Sequence, residues 1–379
     1  MSGDYRFGIE EEYFVNDAVK RDVARSRIAE FFADCREHIA EAVDWEMLEP
    51  QVEVATPPGL DFGAAREHLR GLRASLGEVA RRQGLSIMAS GTHPIAVWAR
   101  VRPTNQPRYG KVMHDLQMLG SRTVLCGMHV HVEVPDPNQR VDLMNRMQPY
   151  LPLLLALSTS SPFWQTHRTG LLGYRLAAFR ELPRTGLPDL FHDHADYQRY
   201  IDTLVAARAI ENSSYVWWII RPSLKYPTLE LRVADSCTRV EDTIAIAALY
   251  RCLVRHLVND PALNRAQTGA SRAIVEENCW RAQRYGIHGS FVDEATRSAK
   301  PLGQVLNEVI DMVEDDALAL GCRGELDLAR WILARGTSAD QQLNLYTEGL
   351  GRGLSNRDAL IGVVDWLSAE TTGQPAVAH

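Results

Sequence analysis

Apolar and polar residues alternate with a period of two in several short segments, and longer stretches between them carry apolar residues at helical spacing. Across residues 7–15 the alternation places Glu10 and Glu12 on one strand face, with Ile9, Glu11, Tyr13 and Val15 on the other. Two carboxylates then point the same way. Residues 51–57 repeat the design, setting Gln51, Glu53 and Ala55 opposite Val52 and Val54. Across 124–134, Val124, Cys126, Met128, Val130, Val132 and Val134 form an apolar face, while Gly127, His129, His131 and Glu133 occupy the reverse. In 228–233, Thr228, Glu230 and Arg232 oppose Leu229, Leu231 and Val233. Amphipathic stretches at 19–43, 64–83, 240–258 and 302–318 predict helices, and the apolar run 151–157 predicts a buried one. Residues 182–188, rich in Pro and Gly, predict a loop.

Strands interleaved with helices, without a repeat or a linker, predict one interwoven domain over 1–370 and a frayed tail over 371–379. The first residues carry no basic and apolar leader, and no apolar run approaches the ~18 residues of a membrane span. Six scattered cysteines without a C-x-x-C pair suggest neither a disulfide framework nor a zinc site, so a cytoplasmic location is expected. A formal net charge of -7 and the lack of a Lys/Arg block argue against a nucleic-acid partner.

Any one of these strands, alone, suits a sheet with a solvated polar face. Together they offer chiefly Glu and His, one Arg and almost no Lys, which is not the composition of a surface. Two carboxylates about 5 Å apart repel by about 3 kcal/mol at an effective dielectric near 20, so converging glutamates need a cation. Carboxylate oxygen with little sulfur suits a hard ion, magnesium or manganese. His129 and His131 also fit a transition-metal pair, but no third ligand in H-E-x-x-H or cysteine form accompanies them, and either fits a satisfied core histidine. The run His192-Asp193-His194 reads as a surface loop. No P-loop or dinucleotide fingerprint occurs, so bound phosphates would rest on metals and arginines.

An ordered set of motifs runs through most of the chain. It comprises Gly8-Ile9-Glu10-Glu11-Glu12-Tyr13; Glu46 followed by 51–57; 89–94 (Ala-Ser-Gly-Thr-His-Pro); Arg108-Tyr109; and 126–132. It continues through Ser161-Pro162-Phe163-Trp164, Tyr174-Arg175, Trp217-Trp218 with Arg221-Pro222-Ser223, and 228–232. This set resembles the YbdK-like carboxylate-amine ligases, the glutamate-cysteine ligase type 2 family. The resemblance implies an α+β, glutamine-synthetase-like fold: a curved antiparallel sheet with helices packed on its outer face. It also implies an ATP-dependent ligase that forms a C-N bond through an acyl phosphate, with weak glutamate-cysteine ligase activity, and with an amino-acid carboxylate donor and an amine acceptor as partners. By the same resemblance Glu10, Glu12, Glu53 and Glu230 match magnesium-binding acids, with manganese as the other candidate. Arg232 matches a γ-phosphate contact, so Arg232 and Glu53 are the catalytic candidates. His129 and His131 match the nucleotide side, and Arg108, Arg175 and Arg221 are candidate substrate contacts. Trp217 and Trp218 read as packing for the two sheet faces. A guanidino or amine kinase of the same fold, an inactive nucleotide-binding protein, and a homo-oligomeric state all stay open.

Overall fold

The computed structural model describes residues 4–39 and 43–373, with every side chain there except that of Arg108. The first alternating segment forms strand β1 (Phe7–Asp17), and around it gather β2 (Val43–Trp45), β3 (Gln51–Ala55), β4 (Leu85–Met88), β5 (Met128–Glu133), β6 (Ile220–Pro222) and β7 (Thr228–Leu231). These make a seven-stranded sheet in the order β6-β7-β5-β1-β3-β2, with β4 also paired to β1. Every pairing in it is antiparallel. β1 exchanges neighbours along its length: Phe7–Glu11 pair with β5 and Phe14–Asp17 with β4. Beside the change of partner, the Gln51 amide donates to the Leu125 carbonyl at 2.5 Å.

The apolar faces behave as their period predicts. Ile9, Val130, Val132, Leu229 and Leu231 sink into one core with the helices Val240–Asn259, Leu151–Ser158 and Pro137–Met147. Tyr13, Val15, Val52 and Val54 pack against the helices Ile28–Ile39 and Phe62–Arg82. Helices therefore cover the outer face along β1, leaving the inner face to the polar side chains. All eight residues of Leu151–Ser158 are buried, as its composition predicts. No helix among the described residues is long and apolar enough to cross a membrane.

Several boundaries differ from the sequence expectation. The strand expected over 124–134 starts only at Met128; before it, Leu125 and Gly127 make isolated bridges to Thr92 and Asp235 instead of continuing the ladder. Val124 and Cys126 consequently join a separate cluster with Phe14, Phe163 and Leu360. The helix expected over 19–43 is confined to Ile28–Ile39, preceded by left-handed residues at Arg21 and Arg27 that helical backbone excludes. Residues 302–318 split at Val313 into Leu302–Met312 and Glu314–Ala319. The loop expected over 182–188 contributes a short strand, Thr185–Gly186, parallel to Trp217–Trp218. At the far end the last helix, Asn356–Thr372, extends into the expected tail: Thr371 is buried and its hydroxyl accepts the Ala89 amide at 2.9 Å. Residues 374–379 of that tail lie outside the described residues.

Glu11 faces away from the polar band and is fully buried. Arg73 grips it in a bidentate pair, Nε to Oε2 at 2.9 Å and Nη2 to Oε1 at 2.6 Å, and also donates to the Cys237 and Thr238 carbonyls. The hydroxyls of Tyr13 and Thr243 complete the knot. It ties β1 to the helices Phe62–Arg82 and Val240–Asn259 and so fixes the strand that carries Glu10 and Glu12. Truncating Arg73→Ala strands a buried charge and should cost about 3–5 kcal/mol of stability. Equilibrium urea unfolding checks this; a loss below about 1 kcal/mol would show that the pair does not hold the strand.

Candidate active site

Register turns separate strand faces into one band. Glu10 lies opposite His129, Glu230 opposite both His131 and Arg221, and Glu12 opposite Glu53. Because side chains of paired residues share a face, the acids, imidazoles and guanidinium groups meet although they come from strands up to 220 positions apart. The band floors a cavity of about 730 Å³.

At its centre His129 bridges two acids: its Nδ1 lies 3.3 Å from Glu10 Oε2 and its Nε2 lies 3.6 Å from Glu12 Oε1. His131 places Nε2 3.4 Å from Glu10 Oε1 and bonds the Thr228 hydroxyl through Nδ1 at 2.8 Å. The Gly127 N–H donates to Glu12 at 2.5 Å, aiming that carboxylate inward. Arg221 forks onto Glu230, Nε to Oε2 at 2.8 Å and Nη2 to Oε1 at 3.1 Å, and Arg232 holds the same carboxylate through Nη1.

The charges are tightly coupled. Burial works against ionisation of Glu10, yet the imidazoles of His129 and His131, 3.3 and 3.4 Å away, hold its carboxyl below the usual range. Burial likewise opposes the charge on Glu230, and Arg221 and Arg232 overcome it and hold that carboxyl well below its usual value. Glu53 goes the other way, raised well above the carboxylate range by burial and then by the charges of Glu10, Glu46 and Glu12. Burial and the Glu12 charge push Glu46 up to about 8. Burial, then Arg232, pushes His129 down, keeping the imidazole neutral; Glu10 raises His131 against the pull of burial.

The donor set fits a divalent cation. Glu10, His129 and Glu230 each offer a ligand atom within 4.8 Å of the others, and so do Glu12, Glu53 and His129. Nε2 of His129 and Nε2 of His131 are buried without a hydrogen-bond partner, which is costly unless something else meets them. Oxygen dominates both sets, as a hard ion requires.

The expected arginines divide by role. Arg221 lines the cavity, but its guanidinium is committed to Glu230 and to the Ser214 and Val216 carbonyls. Arg232 keeps a buried Nε without a partner. Arg175 enters the cavity across Gly127, where a Cβ would sit 2.2 Å from its Nη2, so only glycine admits it. Arg108 sits in the first turn of the helix Pro107–Leu116, and its side chain lies outside the described ones. Trp218 is buried, stacked on Tyr200, while Trp217 lines the cavity beside Arg184, 5.5 Å from its ring. His192 is exposed and Asp193 caps the helix His194–Ala206, so the expected surface loop covers only the first two residues of the run and His194 begins a helix. One acid escaped the face analysis: Glu46, just beyond β2, reaches Glu53 and joins the cluster.

Two solved structures share this fold. Glutamate-cysteine ligase from Francisella tularensis, crystallised in complex with AMP, aligns with a TM-score of 0.71 at 14% identity, over 98% of this chain and 90% of that one. A bifunctional glutathione synthetase from Pasteurella multocida aligns with a TM-score of 0.66 at 12% identity, over 97% of this chain and 52% of that one. Fold and sequence together define the class, an ATP-dependent ligase that forms C-N bonds. Within it, the chain belongs to Glutamate-cysteine ligase family 2 (GCS2), whose profile matches residues 6–358. A relative from Bradyrhizobium diazoefficiens, provisionally named glutamate-cysteine ligase 2, is 46% identical over 370 residues, 98% of this chain and 85% of its own length. Another of the same provisional name, from Rhodospirillum rubrum, is 44% identical over 374 residues, 97% of this chain and 95% of its own.

Proposed function

We propose that this ligase activates an amino-acid carboxylate by phosphorylation from ATP and passes the acyl group to an amine, with L-glutamate and L-cysteine as the first pair to try. The observation that carries this reading is the convergence of Glu10, Glu12, Glu53, Glu230 and His129 beside the unpartnered Nε of Arg232. Those acids and His129 would hold magnesium or manganese, which when bound neutralises the charge of the ATP phosphates.

Arg232 lines the cavity, where it would stabilise charge on the transferring phosphoryl group. Glu230 keeps that guanidinium in place, and Arg221 in turn keeps Glu230 ionised and aimed. A donor carboxylate oxygen attacks the γ-phosphorus, ADP departs, and the product is an acyl phosphate. An unprotonated amine then attacks the acyl carbon, giving the amide and inorganic phosphate and releasing a proton. The nucleotide would occupy the His129 and His131 side of the band, and the donor carboxylate the Arg175 end.

An ADP-release screen of amino-acid and amine pairs in magnesium chloride tests the reading. ADP in step with a condensed product supports it. ADP without a condensed product favours an amine kinase, and no ADP from any pair with folded protein contradicts both.

A further inference from the structure

Two of the sequence motifs, 89–94 and 161–164, lie outside the polar band, and both converge on one buried acid, Asp235. Asp235 Oδ2 accepts the Ser160 backbone N–H at 3.0 Å and the Ser161 hydroxyl at 2.6 Å, while its Oδ1 has no hydrogen-bond partner. Gly91 makes the room for it: a Cβ there would stand 2.6 Å from the Asp235 carboxyl carbon. The Gly91 N–H donates to the Ser160 hydroxyl at 2.8 Å, so the two motifs are stitched together around the acid. Burial raises the Asp235 carboxyl above its usual range, and Arg175 is the first of the groups that oppose that rise and favour the carboxylate.

Ser161 connects the two residues directly. Its hydroxyl donates to Asp235 and accepts the Arg175 backbone N–H at 3.0 Å, at the start of the helix Tyr174–Phe179. The Arg175 side chain then crosses Gly127 into the cavity. There its guanidinium is buried and meets no carboxylate among the described residues; it donates only to the Arg232 carbonyl, at 3.4 and 3.5 Å. Gly127 also donates to Glu12, which puts Arg175 at the opposite end of the band from His131 and Thr228.

We infer that Asp235 is a positioning residue: through Ser161 it anchors the backbone of Arg175, and it compensates the buried guanidinium so that its fork receives a carboxylate of the amino-acid donor. The anchoring stands on geometry alone, while the identity of the anion rests on the ligase reading above.

Asp235→Asn keeps the shape, removes the charge and so weakens the charge-assisted bond from the Ser161 hydroxyl that holds the Arg175 backbone. With ATP, L-glutamate and L-cysteine, the KM for L-glutamate should rise on the order of tenfold, while kcat and the KM for ATP stay within about twofold. In an Arg175→Ala background the same substitution should add nothing, because the residue it serves is gone. Hydrogen exchange supplies a readout independent of activity: amides across 171–179 should exchange about tenfold faster in D235N, with those of Val240–Asn259 unchanged. Faster exchange in both regions, or equal rises in both KM values, would reduce Asp235 to a general packing role and overturn the inference. Unchanged exchange would overturn it too. Should D235N fail to fold, Ser161→Ala removes the same link and the same readouts decide. A wild-type protein that releases no ADP refutes the ligase reading, and exchange across 171–179 still decides whether Asp235 anchors Arg175.

Discussion

Glu53→Gln should cut ATP turnover by roughly 10²–10³-fold and leave the fold intact. The amide reproduces the shape of the side chain but cannot become the carboxylate that a cation needs, at the point where burial and the charges of Glu10, Glu46 and Glu12 hold Glu53 protonated without one. The metal-free variant should melt at a higher temperature than the wild type, since an amide there carries no cost of keeping a buried carboxyl protonated. Glu230→Gln should lose turnover comparably by another route, because it releases both Arg221 and Arg232. ADP release at limiting magnesium chloride and melting in the presence of a chelator measure the two effects. Full turnover of either variant at limiting magnesium would contradict the assignment of these acids to a cation.

The second large effect belongs to Arg232→Lys, which should fold normally and lose turnover on the order of 100-fold. A lysine ammonium can still meet Glu230, so the local charge balance survives. What it cannot supply is the second donor, now the unpartnered Nε, in a fixed plane with the one bound to Glu230. The loss should appear in kcat more than in the KM for ATP, because the contact strengthens only as charge develops on the phosphoryl group. Unchanged turnover would move Arg232 to a purely structural role in holding Glu230.

Much of the site was legible because strand geometry is strict. A period of two assigns Glu10, Glu12, Glu53, His129, His131, Glu230 and Arg232 to polar faces without knowledge of the fold, and these residues do share one floor. Alternation says nothing about which strand lies beside which, however. The pairing of Glu10 with His129 and of Glu230 with Arg221 is set by long-range register, which local pattern does not encode. Arg221 shows the consequence: as a motif residue it reads as a ligand contact, and its pairing with Glu230 appears only with the register. Glu46 was missed because β2 is three residues long, too short to show a period, and Glu46 follows it. Glu11 was assigned correctly to the apolar face, but its partner Arg73 lies 62 positions away on a helix whose pattern shows only an amphipathic surface. The end of the ladder at Met128 hid for a similar reason: the apolar alternation continues through Val124 and Cys126, and only the long-range bridges of Leu125 to Thr92 and Gly127 to Asp235 show that the chain there has other partners.

The central claim is that a carboxylate is activated by phosphorylation, and the fate of its oxygen tests that claim most directly. In the proposed sequence the oxygen that attacks the γ-phosphorus leaves with the phosphate when the amine arrives. Adenylation would send the same oxygen into AMP, and phosphorylation of an amine would leave it in the donor. With the pair found by ADP release, a donor labelled with oxygen-18 in its carboxylate should give labelled inorganic phosphate in step with amide formation. Unlabelled phosphate alongside a normal yield of amide would contradict the account.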